Sequence, residues 1–213
     1  MRINEKKSKD FYQLILQNEQ KLKTDSFLAD KLYPLKIVVN NAICSIEDIN
    51  SSPILHDSQS TNEFVLFINH IGKLLESTEQ IYRFLYQQNK CLFQEKENCF
   101  IDRRGIYQGL NNDDYFQEIR AMVYAHCSNL KSPDNSSKHL FADLVCCKKT
   151  FFVFNRKGYK FEFYVPVLDS MGKTIIVYIN IHELVNYANQ LNDRFDDFKN
   201  KLSEILCSCQ AKL

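Results

Sequence analysis

The sequence predicts an α+β fold that is mainly a helical bundle, with a three-stranded antiparallel β-meander placed before the C-terminal helix. Three observations carry this. Apolar residues recur at helical spacing through most of the first two thirds of the chain; between Thr150 and Asn180 the pattern turns alternating or continuously apolar; and helical spacing then resumes to the C-terminus. The bundle is expected over residues 6–147 and 181–210 and the meander over 150–180, all within one domain, 1–213. A chain of 213 residues with 45% hydrophobic content is long and apolar enough to form a substantial core.

Lys6 to Leu22 reads as an amphipathic helix with Phe11, Leu14 and Ile15 on one side. Thr24 or Asp25 caps a second helical pattern running toward Ile46. Pro34 should kink that pattern or restart it, because proline removes a backbone donor and crowds the preceding turn. From Ala42 the period fades, and Glu47 to Pro53 has the composition of a loop. Thr61 to about Gln88 is the longest regular segment, with Phe64, Phe67, Ile68, Ile71, Leu74, Leu75, Ile81, Phe84 and Leu85 on its stripe. His70 is one step off that stripe and reads as a boundary residue. No period persists from Asn89 to Asn112, where Arg103, Arg104 and Gly105 form a small basic turn.

Ser128 to Lys138 is a polar loop rich in turn formers, followed by His139. The meander is expected from three runs, TFFVFN at 150–155, YKFEFYVPVL at 159–168 and TIIVYIN at 174–180, separated by compact turn sequences. Pro166 marks an edge position or a bulge in the middle run. So small a sheet needs helices to pack against. Asn180, with Glu183 three residues on, opens the last helix, whose stripe of Leu184, Tyr187, Leu191, Phe195, Phe198, Leu202 and Ile205 suits a bundle member or an oligomer seam.

Formal charge is +1, from 27 basic and 26 acidic side chains, so no global field draws the chain to nucleic acid. The polar N-terminus and the lack of a long apolar run argue against a signal peptide and a membrane span, and imply a cytoplasmic protein. In that compartment the eight cysteines read as buried apolar groups or free thiols. Cys146–Cys147 and Cys207–Ser208–Cys209 lack zinc-ligand spacing, and no glycine-rich phosphate loop is present, so neither metal nor cofactor is expected.

The stretch with chemical promise is Asn112 to Asn129. Phe116, Ile119, Met122 and Val123 share one helical face, and Asp113 or Asp114 can cap the first turn. Burial of that face would hold Arg120 at a fixed height, with His126 at the helix end. Six positions apart, the two side chains point roughly 120° away from each other around the axis. Two copies of the helix packed across a two-fold axis would bring both pairs into one cleft.

At these residues the chain resembles the HEPN superfamily, helical-bundle proteins of prokaryotic defence and toxin systems marked by an arginine, four to six residues, and a histidine late in a helix. Arg120, five intervening residues and His126 fit that pattern, and the Phe116, Ile119 and Arg120 lead-in and the Ala125–His126 pair look like defence-associated branches. The resemblance implies a homodimer, an RNA substrate and metal-independent endoribonuclease chemistry carried by Arg120 and His126, with an antitoxin or nucleotidyltransferase as partner. Two departures bear on catalysis more than on fold. Ala121 stands where active members often carry a small polar residue, and Ser128 stands where the nucleotide-transfer-controlled branch has a tyrosine.

Two rival readings belong to other classes. In one, the chain is a catalytically inactive HEPN-like binding or regulatory module that works through protein contacts, with Arg120 in an ion pair and His126 bonded to the frayed end of its own helix. In the other it is a thiol enzyme using Cys127. That is the weakest reading, because adjacent helix residues such as His126 and Cys127 face apart.

Overall fold

The computed structural model describes residues 2–56, 61–88, 93, 97–100, 109–124, 129–130, 140–142, 162–168 and 174–210. The fold is mainly α-helical. Among the described residues the α-helices are α1 (Lys6–Gln17), α2 (Glu19–Leu22), α3 (Leu32–Ser51), α4 (Thr61–Tyr86), α5 (Asn112–Tyr124) and α6 (Ile181–Gln210). Short 3-10 turns occupy Ala29–Lys31 and Pro53–His56.

The chain forms two compact units. The first comprises 1–51, 73–94 and 188–213, and the second 52–72 and 95–187.

In the first unit, Phe11 and Ile15 of α1 are fully buried with Leu35, Val39, Ala42, Ile46 and Ile49 of α3, Leu74, Leu75 and Ile81 of α4, and Leu191, Phe198 and Leu202 of α6. Leu191, Phe195, Phe198 and Leu202 are thus buried within their own chain, so this part of the α6 stripe serves as a bundle face. Phe11, Phe195 and Phe198 form a ring cluster with centroids 5.6–6.0 Å apart. Phe93 adds an edge contact to Phe198 at 5.8 Å and carries the Arg194 guanidinium over its other side at 3.9 Å.

Three sequence expectations are resolved here by local physics. Of the kink or restart expected at Pro34, the restart is found. The helix restarts at Leu32, so Pro34 falls in its first turn, where the missing N–H has no intrahelical partner to lose. Asp25 does cap, accepting the backbone N–H groups of Phe27 and Leu28, but it caps the turn leading to the 3-10 segment. The loop expected from Glu47 is helical to Ser51, because Ile43, Ile46 and Ile49 keep the helical spacing and are buried.

What obscured that spacing is Asn50, a buried amide with a structural task. Its Oδ1 accepts the Ile3 N–H at 2.7 Å, and its Nδ2 donates to the Ile3 carbonyl and to Glu5 Oε1, each at 3.0 Å. The buried Asn192 of α6 donates to the Asn4 carbonyl at 2.8 Å. Two side-chain amides therefore satisfy the backbone of 3–4 much as a neighbouring strand would, which is the condition for burying it.

α4 ends two residues short of the expected Gln88 because Gln87 turns left-handed, at φ 57°, while its N–H bonds back to the Arg83 carbonyl. A left-handed non-glycine residue costs about 1–2 kcal/mol, part of which glycine would relieve. Gln87→Gly is expected to raise the unfolding midpoint by about 1–4 °C. A melt of the variant with an equal or lower midpoint would refute this.

In the second unit, Phe64, Phe67, Ile68 and Ile71 of α4, Phe116, Ile119 and Val123 of α5, and Leu184, Val185 and Tyr187 of α6 are buried. The described strands are β1 (Asn129–Leu130), β2 (Leu140–Ala142), β3 (Glu162–Leu168) and β4 (Thr174–Asn180), antiparallel in that order. β1, β2 and β3 all run close to α5. The second and third expected runs become β3 and β4, paired from Glu162 with Asn180 to Leu168 with Thr174. The first expected run, 150–155, lies outside the described residues, and the described neighbour of β3 on its other side is β2, within a span expected to be helical. Pro166 is paired with Ile176 of β4, and the described part of β2 pairs with Val167 and Leu168.

Candidate functional site

α5 is fixed at its start by asparagines. Asn111, rather than Asp113 or Asp114, is the cap: its Oδ1 accepts the Asp114 N–H at 2.7 Å while its Nδ2 donates to Asp114 Oδ2 at 2.7 Å. The first bond is the ordinary N-cap bond, and the second, side chain to side chain, holds the capping amide in place. The buried Asn112 then accepts the Cys99 N–H and donates to the Glu97 carbonyl, tying 97–99 to the helix start. Phe100 follows into an aromatic group with Tyr115 at 5.0 Å and Tyr187 at 5.4 Å, and Phe116 lies 4.9 Å from Tyr187. The Tyr187 hydroxyl donates to Asp113 Oδ1 at 2.8 Å, so α5 is joined to the first turns of α6 by both ring packing and a charge-assisted bond.

Arg120 lies in the second half of α5, half-buried, between the buried Ile119 and the half-buried Ala121. Its side chain crosses α4 at Gly72. A Cβ built on that glycine would stand 3.1 Å from Arg120 Nε, 3.2 Å from Cζ and 3.4 Å from Cδ. The stem of Arg120 thus runs from a helix with a buried face past a helical glycine of α4. His126 lies outside the described residues, as do the basic turn at 103–105, His139 and Cys127. α5 is described as far as Tyr124, two residues before the histidine.

Sequence reading missed Gly72. Its signal was available: a glycine inside a long, periodic helix, where alanine is favoured by about 1 kcal/mol, implies a close approach by something else.

His182, in the first turn of α6, has a perturbed titration. Burial depresses its pKa below the usual 6.5, favouring the neutral ring. With the folded value depressed, the unfolded chain binds more protons below pH 6.5, so this contribution is complete above that pH and is lost as pH falls toward the folded value. Stability measured against pH is expected to fall on the acid side of about 6.5, with a shallower fall in His182→Gln. An identical slope in the variant would remove His182 as the cause.

A separate groove of ≈ 360 Å³ in the first unit runs between α3 and α4, lined by groups that include Asn41, Cys44, Asp48, Lys73, Glu76 and Gln80. Its mixed charges select no ligand class. Among the described residues no three His, Cys, Asp or Glu side chains stand close enough to hold a metal ion, and no helix is long and apolar enough to cross a membrane. None of the described cysteines, buried Cys99 and Cys209 and exposed Cys44 and Cys207, is in a disulfide.

No family model, curated protein or solved structure matches the chain.

Proposed function

We propose that the chain is a HEPN-like, metal-independent endoribonuclease of a prokaryotic defence or toxin–antitoxin system, acting as a homodimer with Arg120 and His126 of both copies in one cleft. The observation that supports it is the setting of Arg120: a half-buried guanidinium in the second half of a helix anchored at its start, seated against a glycine in a largely helical protein. A guanidinium held in place is suited to gripping phosphate oxygens as negative charge builds on them.

In the proposed reaction the RNA 2′-hydroxyl loses its proton and attacks the adjacent phosphorus. The new 2′-O–P bond forms as the P–O5′ bond breaks, leaving a cyclic phosphate on one fragment and a protonated 5′-hydroxyl on the other. His126 moves the proton and Arg120 holds the nonbridging oxygens. With a net charge of only +1, the chain must bind RNA through local charge at this cleft. The small sheet is proposed to pack on the bundle, and an antitoxin or nucleotidyltransferase to control the site.

The test uses the purified protein, an RNA oligonucleotide and a chelator. Cleavage that persists with the chelator, yields cyclic phosphate ends and fails at a 2′-deoxy position is the expected result. No cleavage, together with tight association with a second protein, would favour the inactive binding module instead.

A further inference from the structure

Glycine inside a helix needs a reason, since it lowers helix stability by about 1 kcal/mol relative to alanine. Two ordinary reasons fail at Gly72. Its φ lies outside the left-handed range, so the backbone does not require glycine, and the residue is buried, so it is not a solvent-side irregularity. The remaining reason is steric. The three atoms nearest to a Cβ at this position all belong to Arg120, at 3.1–3.4 Å, whereas a Cβ on Gly109 would meet nothing within 4 Å.

We infer that Gly72 is the positioning residue for Arg120: the missing Cβ leaves a notch in α4 that receives the guanidinium stem and sets how far its charged end reaches from α5. The contact falls on Nε and Cζ, the atoms that orient the planar fork, so a small displacement there turns the direction in which the fork can grip an anion. The two residues lie 48 positions apart in sequence and meet within one compact unit. An alanine at 72 would force the neighbouring atoms to give by a few tenths of an ångström, which the far end of a flexible side chain can do without unfolding either helix. A valine would demand more. The functional half of this inference rests on the nuclease reading above; the structural half does not.

A double-mutant cycle tests the structural half. In an Arg120→Ala background, Gly72→Ala should show its full helix-propensity gain, a rise of about 2–4 °C in midpoint. In the natural background the rise should be smaller or reversed, and the Arg120 Nε–Hε NMR correlation, assigned by its loss in Arg120→Lys, should move. It should stay in place in Lys73→Ala, a change at the exposed neighbouring position. Equal midpoint changes in both backgrounds with an unmoved correlation would overturn the inference. Where the natural protein cleaves RNA, Gly72→Ala should lower kcat at least severalfold with KM little changed, and an unaltered kcat would overturn the functional half. Where it cleaves none, the nuclease reading fails and the cycle still decides the role of Gly72.

Discussion

Phe198→Ala is expected to cost about 3–5 kcal/mol of unfolding free energy, a large share of the about 5–15 kcal/mol that holds an ordinary domain folded. Phe198 is fully buried and meets three other rings, Phe11 at 6.0 Å, Phe93 at 5.8 Å and Phe195 at 5.6 Å. Truncation removes the burial of one ring and an edge or tilted contact with each of the others, leaving a cavity that rigid helices close only in part. Phe198→Leu keeps most of the volume and should cost about 1–2 kcal/mol. Urea denaturation of the two variants measures the difference. A loss below about 1 kcal/mol for the alanine variant would mean that this cluster is not the organising core of its unit.

The second large effect concerns chemistry. Arg120→Ala and His126→Ala are each expected to lower RNA cleavage by about 10²–10⁴-fold, the range for a lost proton-transfer group or a lost donor to developing charge. Arg120→Lys should recover little, because lysine offers a point charge without the planar fork. The double variant should be nearly as slow as either single one, since groups acting in one step do not contribute additively. These comparisons need circular dichroism spectra and midpoints matched to the natural protein, because the buried Ile119 beside Arg120 makes α5 part of the core. Full cleavage by His126→Ala would remove that residue from the mechanism.

Much of the helical framework was readable from spacing alone. The stripes on α4 and α6 were long enough for periodicity to override single polar residues, and Asn180 marks the start of α6, its Oδ1 accepting the His182 N–H at 2.8 Å. Reading failed where a polar side chain does a core residue's work. Asn50 ended the apparent pattern of α3 because a buried amide looks like a surface residue in a one-dimensional string, yet its bonds are to Ile3 and Glu5, 47 and 45 positions away. Asn111 was passed over as the α5 cap in favour of the aspartates that follow it, because neighbouring residues share capping chemistry and only side-chain geometry separates them. The candidate site divides in the same way. Arg120 was visible from its motif, while Gly72 was not, since no local pattern links two residues on different helices.

The sequence by itself determined where most helices run and that apolar strands follow the α5 region, because spacing, caps and composition act over a few residues at a time. Tertiary structure decided that α3 continues to Ser51, that β2 stands beside β3, and that the Arg120 stem lies in a notch on α4. Those outcomes depend on which distant backbone satisfies a buried polar group and how closely two helices approach, and such quantities are set by three-dimensional packing rather than by order along the chain.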